Sequence, residues 1–184
     1  MSPRGAGYAA LDEKLAAFDA RVRARYPASL QCNKGCAMCC HQHLSVVGAE
    51  FLCIAQAVRG LPVEARAALR ERVEAGRDDP RCVLLDDAGL CRVYEARPTI
   101  CRSHGLPVRV DGARDVCPLN FAGDGPGLDE VAEDCVLDLE HVDSVVGLVD
   151  RLAGGDPLAR VDLFDGVAAV LAELDPGPIG EESG

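Results

Sequence analysis

The chain has 184 residues, no Trp, 4% aromatic residues and a net charge of −11. That length fits one domain with a buried core, and the scarcity of aromatics leaves the core to Leu, Val and Ala. The charge runs from +3 over residues 1–40, through zero over 41–120, to −14 over 121–184. An acidic C-terminal third argues against nucleic acid and anionic membrane surfaces as partners.

Leu11, Leu15, Phe18 and Val22 recur at helical spacing and predict an amphipathic helix over 8–25, closed by Pro27. Charged residues interrupt this segment, so it has no signal-peptide core, and no apolar run reaches the roughly 20 residues of a bilayer span. The expected compartment is the cytoplasm, where thiols stay reduced. Ser45 is the expected N-cap of a second helix, with Val47, Phe51, Ile54 and Val58 on one apolar face and an end near Gly60. Pro62 restarts a helix that turns Ala65, Leu69 and Val73 inward and runs to about Gly76.

The period then changes. CVLLDDAGLCRVY reads as a hairpin about Asp86–Gly89, which would bring Cys82 and Cys91 together. Pro98 opens a short helical turn holding Cys101. LPVRVDGARDVCPLNF reads as a second hairpin, turning at Asp111-Gly112, with Cys117 on its return arm. Residues 77–120 carry few large apolar side chains, so a thin core is expected there. Residues 122–129 read as a flexible loop. One closing helix carries Val142, Val145, Val146 and Val149, and a second carries Leu158, Val161, Phe164, Val167 and Leu171. The tail after Asp175 has a disordered composition.

The chain holds ten cysteines. Cys32, Cys36, Cys39 and Cys40 crowd into QCNKGCAMCCHQH, and Cys82, Cys91, Cys101 and Cys117 follow at wider spacing. Thiols this dense are poor core-fillers, whereas thiolates bind zinc, iron and iron–sulfur clusters well. Eight thiols divide into two four-sulfur sites, or one cluster with spare thiols. Adjacent side chains point apart on an extended backbone, so Cys39 and Cys40 reach one centre only through a tight local turn; otherwise they serve two centres, or one binds a metal and the other is left as a supporting or reactive thiol. Cys53, between Phe51 and Ile54 on a helix, and Cys135, in an acidic stretch, read as packing.

CNKGCAMCCHQHLSVVGAEF followed by CVLLDDAGLCRVYEARPTICRSHG resembles the YkgJ-type cysteine-cluster family of bacteria, taken to chelate zinc or iron. The family pattern is a cluster ending in Cys-Cys, a helix, and a Cys…Cys-x-x-Tyr-x-x-Arg-Pro-x-x-Cys-Arg segment. Here those positions are Cys32, Cys36, Cys39 and Cys40, then Cys82, Cys91, Tyr94, Arg97, Pro98, Cys101 and Arg102, with Cys117 as the later cysteine. The likeness covers residues 30–120. It departs at the first gap, where three residues rather than the usual two separate Cys32 from Cys36. The resemblance implies metal chelation and no settled substrate; one branch resembles flagellin lysine methylases.

Arg97 and Arg102 flank Cys101 and can offset thiolate charge, with Arg92 a weaker candidate and surface ion pairing the alternative. Tyr94 reads as packing. His41, His43 and His104 neighbour cluster residues, but the thiols already suffice as ligands. His141 heads a C-terminal helix. No nucleophile–base pair, P-loop or dinucleotide fingerprint is present, and GDGPG at 123–127 lacks the strand–helix context of a phosphate loop.

The expected fold is mainly α with small β-hairpins, a single cysteine-rich metal-binding domain flanked by amphipathic helices. Its parts are an N-terminal helix (1–29), a cysteine-cluster region (30–120), an acidic helical pair packed on the same domain (121–175) and a tail (176–184). The expected function is to bind zinc or iron through the eight cysteines in a structural, storage or delivery role. The alternative is an iron–sulfur protein with redox or methyl-transfer-related activity.

Overall fold

The computed structural model describes residues 3–123 and 125–174. The tail expected to be disordered lies outside the described residues. The fold is mainly α with small β elements. The described residues form helices α1 (Pro3–Arg25), α2 (Gly48–Arg59), α3 (Val63–Glu74), α4 (Thr99–Ser103), α5 (Leu139–Leu152) and α6 (Leu163–Leu174) and five short strands. These are β1 (Ser45–Val47), β2 (Val108–Val110), β3 (Ala113–Asp115), β4 (Leu137–Asp138) and β5 (Arg160–Asp162).

The stripe read from the first helix is the one that α1 buries. Leu11, Leu15, Phe18 and Val22 lie in the core, joined by Tyr8 one turn earlier. Two basic residues, Arg23 and Arg25, occupy its last turn, where they favour the negative end of the helix dipole.

Ser45 does not cap α2. Val46 and Val47 are β-branched and buried, and Ser45–Val47 pairs antiparallel with Arg160–Asp162, a partner about a hundred residues away. The cap comes from another helix: Asp150 Oδ1 on α5 accepts the Ala49 N–H at 2.7 Å. The second closing helix is also shorter than its pattern suggested. Val161 lies in β5, and Leu158 is 87% exposed, ahead of the strand. Phe164, Val167 and Leu171 do lie on α6.

The region around Asp86 forms a hairpin turn without strands. One antiparallel bridge, Leu85 with Cys91, is made there, and Asp86 N–H donates to the Leu90 carbonyl at 2.9 Å. The second hairpin forms as read. Val108–Val110 pairs with Ala113–Asp115, and Asp111 (φ 49°) and Gly112 (φ 76°) make its two-residue turn. β2 also pairs in parallel with β4, so the hairpin becomes a three-stranded sheet.

The core falls into three clusters. The largest joins Ile54 and Val58 of α2, Leu69 of α3 and Val167 and Leu171 of α6 to Val83, Leu84 and Val93. The second packs α1 on α5 through Tyr8, Leu11, Leu15, Val142 and Val146. The third sets Phe18 and Val22 against Leu30, Leu106, Val131 and Cys135. The expectation of a thin core over 77–120 therefore needs correction, because Val83, Leu84, Leu85 and Val93 are buried among the helices. The stretch without a core of its own is 31–45, in which no side chain is buried.

Candidate metal centre

The cysteine-rich loop holds its shape by local hydrogen bonds. Cys36 N–H donates to the Asn33 carbonyl, with Gly35 at φ +98° completing the turn. Met38–Cys40 form a single 3₁₀ turn, closed by Cys40 N–H to the Ala37 carbonyl at 2.9 Å. This is the tight turn that two adjacent cysteines need to face one centre, and both line the same cavity. Cys82 N–H donates to the Cys40 carbonyl at 2.6 Å and ties the loop to the second half of the pattern.

Cys82 and Cys91 are brought together by the Asp86 turn. Its carboxylate accepts Ala88 N–H at 3.0 Å and Leu90 N–H at 2.7 Å, and Gly89 takes φ +75°. Cys101 rides on α4, which starts after Pro98. The buried Glu50 of α2 anchors this short helix: Oε1 accepts Thr99 N–H at 2.8 Å and the Tyr8 hydroxyl at 3.2 Å. α1, α2 and α4 thus meet at one carboxylate. Burial first, and then the Glu50 charge, raises the Tyr8 phenol. Glu50→Ala is expected to cost roughly 1–3 kcal/mol, since the Thr99 N–H loses its acceptor in a buried place. Urea unfolding measures it.

Cys36, Cys39, Cys40, Cys82, Cys91 and Cys101 line one cavity of about 70 Å³, walled also by Leu44, Leu84, Leu85, Val93 and Leu163. Cys32 and Cys117 stand to one side. Cys32 is near enough to Cys117 and Cys36 to feel their charge, and Asn120 Nδ2 lies 3.4 Å from its Sγ. Asn120 is itself buried. Its Oδ1 accepts Gln31 N–H at 2.7 Å and its Nδ2 donates to the Gly105 carbonyl. Gly105 has φ +92°, and a Cβ there would stand 2.6 Å from Cys32 Sγ, so the position requires glycine.

Burial raises the thiols of Cys82 and Cys91, that of Cys32 to about 11 and that of Cys101 to about 12, the last also through neighbouring Cys82, Cys39 and Cys91. Cys39 and Cys40 form a hydrogen-bonded pair, which raises Cys39 and lowers Cys40. All ten cysteines are free thiols. Among the described residues no three Cys, His, Asp or Glu side chains stand together as a group able to hold an ion. The sulfurs share a wall and repel one another when charged, rather than converging on one point. The donor set still fits a thiophilic metal, because soft thiolates select zinc and iron–sulfur centres. A cation would reverse the mutual repulsion that raises these thiols.

Arg97 lies at the cavity wall, and its charge stabilises the thiolate forms of Cys39, Cys91 and Cys101. Its guanidinium stacks 3.6 Å from the Tyr94 ring centroid. Arg102 is occupied elsewhere, with Nε 2.5 Å from Asp12 Oδ1 as an ion pair and donating to the Arg97 carbonyl. His41, His43 and His104 are exposed and none lines the thiol cavity. His141 is exposed at the start of α5. Cys53 packs against the second core cluster and Cys135 is buried in the third. Sequence reasoning missed Glu50, Asn120 and Asp150, three polar residues whose roles depend on distant chain segments and leave no local signal.

Residues 31–118 match the model of the CxxCxxCC family, described as "Putative zinc- or iron-chelating domain". The match agrees with the likeness read over 30–120 and spans all eight cysteines of the pattern. None of the curated proteins and none of the solved structures matches the chain. α1, α5 and α6 lie outside the matched segment, yet α6 closes one side of the thiol cavity through Leu163. Among the described residues no helix is long and apolar enough to cross a membrane.

Proposed function

We propose that the protein binds zinc or iron through cysteine thiolates and that the bound ion has a structural role, tying the 31–45 loop to the helical body. One observation carries this reading. Six thiols from three separate segments line one cavity, beside a loop with no buried side chain. Cys36, Cys39, Cys40, Cys82, Cys91 and Cys101 would supply the ligands, with Cys32 and Cys117 completing the set of eight. The ion would supply charge that holds several thiolates together where burial otherwise keeps them protonated. The cytoplasm, where thiols stay reduced, suits such a site.

Elemental analysis of protein purified without oxygen tests the reading. Zinc or iron near one or two atoms per chain, bound tightly enough to survive gel filtration, is the expected result. A brown solution with a broad band near ~400 nm would instead assign an iron–sulfur cluster to the same thiols. Protein that purifies without metal and takes up neither zinc nor iron would overturn it.

A further inference from the structure

Against the thiol cavity lies a second, wider cleft of about 340 Å³, and the two share Cys36, Cys39, Cys101, Tyr94 and Arg97 in their walls. Four cations, Arg23, Lys34, Arg97 and Arg102, face one carboxylate, Asp19, in its lining. That is an unusual concentration of positive charge in a chain of net charge −11. Two of the cations are already neutralised. Arg23 holds Asp19 at 2.8 Å, and Arg102 holds Asp12. The other two are not: among the described residues neither Lys34 nor Arg97 pairs with a carboxylate. Asp12 lies within Coulomb reach of Arg97 without touching it.

Lys34 and Arg97 are also held in place. Both stack on the Tyr94 ring, with Lys34 Nζ 5.3 Å and Arg97 Cζ 3.6 Å from its centroid. Arg97 Nε is spent on the Tyr94 carbonyl at 3.0 Å, which leaves its two terminal nitrogens as the free edge. Such an edge matches the two oxygens of a carboxylate or phosphate, and the Lys34 ammonium in the same cleft adds a second point of attraction. A cleft lined by one sign of charge concentrates the opposite ion.

We propose that this cleft binds a small oxyanion, a carboxylate or a phosphate, between Lys34 and Arg97. The binding groups differ from those of the metal reading, being cations and an aromatic ring, although Cys32, Cys36, Cys39 and Cys101 also line this cleft and Arg97 serves both. A bound oxyanion would lie against the wall that Cys36, Cys39 and Cys101 present on their other side.

Calorimetric titration of the full chain with succinate and with inorganic phosphate tests this, on the protein as purified and after metal removal. Succinate is chosen because it holds metal ions weakly. Millimolar or tighter binding of one probe is expected, and the tighter of the two tells carboxylate from phosphate. Lys34→Gln and Arg97→Gln should each weaken it by about tenfold or more, while Arg59→Gln, on a surface pair with Glu173, should leave it unchanged. Lys34 is exposed, so its variant keeps the test meaningful should Arg97→Gln fail to fold. Binding by neither probe at tens of millimolar, or binding indifferent to Lys34→Gln, would overturn the proposal. Metal content measured on every sample separates this outcome from failure of the metal reading. If Arg97→Gln lost metal and left anion binding intact, Arg97 would serve the thiolates alone and the oxyanion site would be wrong.

Discussion

Stripping metal with a strong chelator is expected to open residues 31–45 to hydrogen exchange while residues 83–85 and 93 stay protected. The two stretches meet at the same cavity, but they are held differently. Residues 31–45 bury no side chain and are held mostly by hydrogen bonds: local backbone bonds, the Asn120 contacts, Arg23 on the Cys32 carbonyl, the Cys82-to-Cys40 bond and Leu163 N–H on the Leu44 carbonyl, with Leu44 packed at the edge of the core. Val83, Leu84 and Val93 are packed between α2, α3 and α6, and with Leu85 they have exposures of 2–7%. At about 25 cal/mol per Å² of apolar surface, that packing is worth several kcal/mol whether or not metal is present. Structural zinc supplies on the order of 10 kcal/mol in small domains, and here its effect falls on the loop that lacks a core. Helix content measured by circular dichroism should change little. Equal protection of 31–45 with and without chelator would mean that the cysteines serve something other than structure.

Cys101→Ser and Cys39→Ser are each expected to weaken metal retention by more than about tenfold, and Cys53→Ser to leave it unchanged. Cys101 and Cys39 share the cavity and feel each other's charge, whereas Cys53 packs into the α1–α5 core. Cys135→Ser separates the two effects in one variant. Its sulfur is fully buried among apolar side chains, so a hydroxyl there costs roughly 1–3 kcal/mol of stability with metal content intact. Metal analysis after dialysis against a mild competitor reads out all four. Parental metal content in Cys101→Ser would show that this cysteine is not a ligand.

Periodic elements were legible because their pattern repeats within a few residues. The α1 stripe, Ile54 and Val58 on α2, Leu69 on α3 and the Asp111-Gly112 turn formed where spacing and turn chemistry placed them, whereas Val47 went to β1. Ser45 misled because its hydroxyl preceding an apolar run satisfies the local rule for a cap, while Arg160–Asp162 supplies a competing strand partner that no local window contains. Leu158 misled in the same way: it continues a helical period, but the chain is drawn into β5 before α6 begins.

For the candidate site, the sequence alone determined which thiols are on offer, eight in the order of the family pattern, and the local turns at Gly35, Asp86–Gly89 and Pro98 that present them. Those are properties of residue type and short-range conformation. Only the tertiary structure decided that six of the thiols share one cavity while Cys32 and Cys117 stand aside, that Arg97 rather than Arg102 serves the sulfurs, and that Glu50 anchors the helix bearing Cys101. Each of these depends on which distant segments meet. A buried carboxylate or an uncompensated guanidinium is defined by its surroundings, and those exist only once the chain has closed around it.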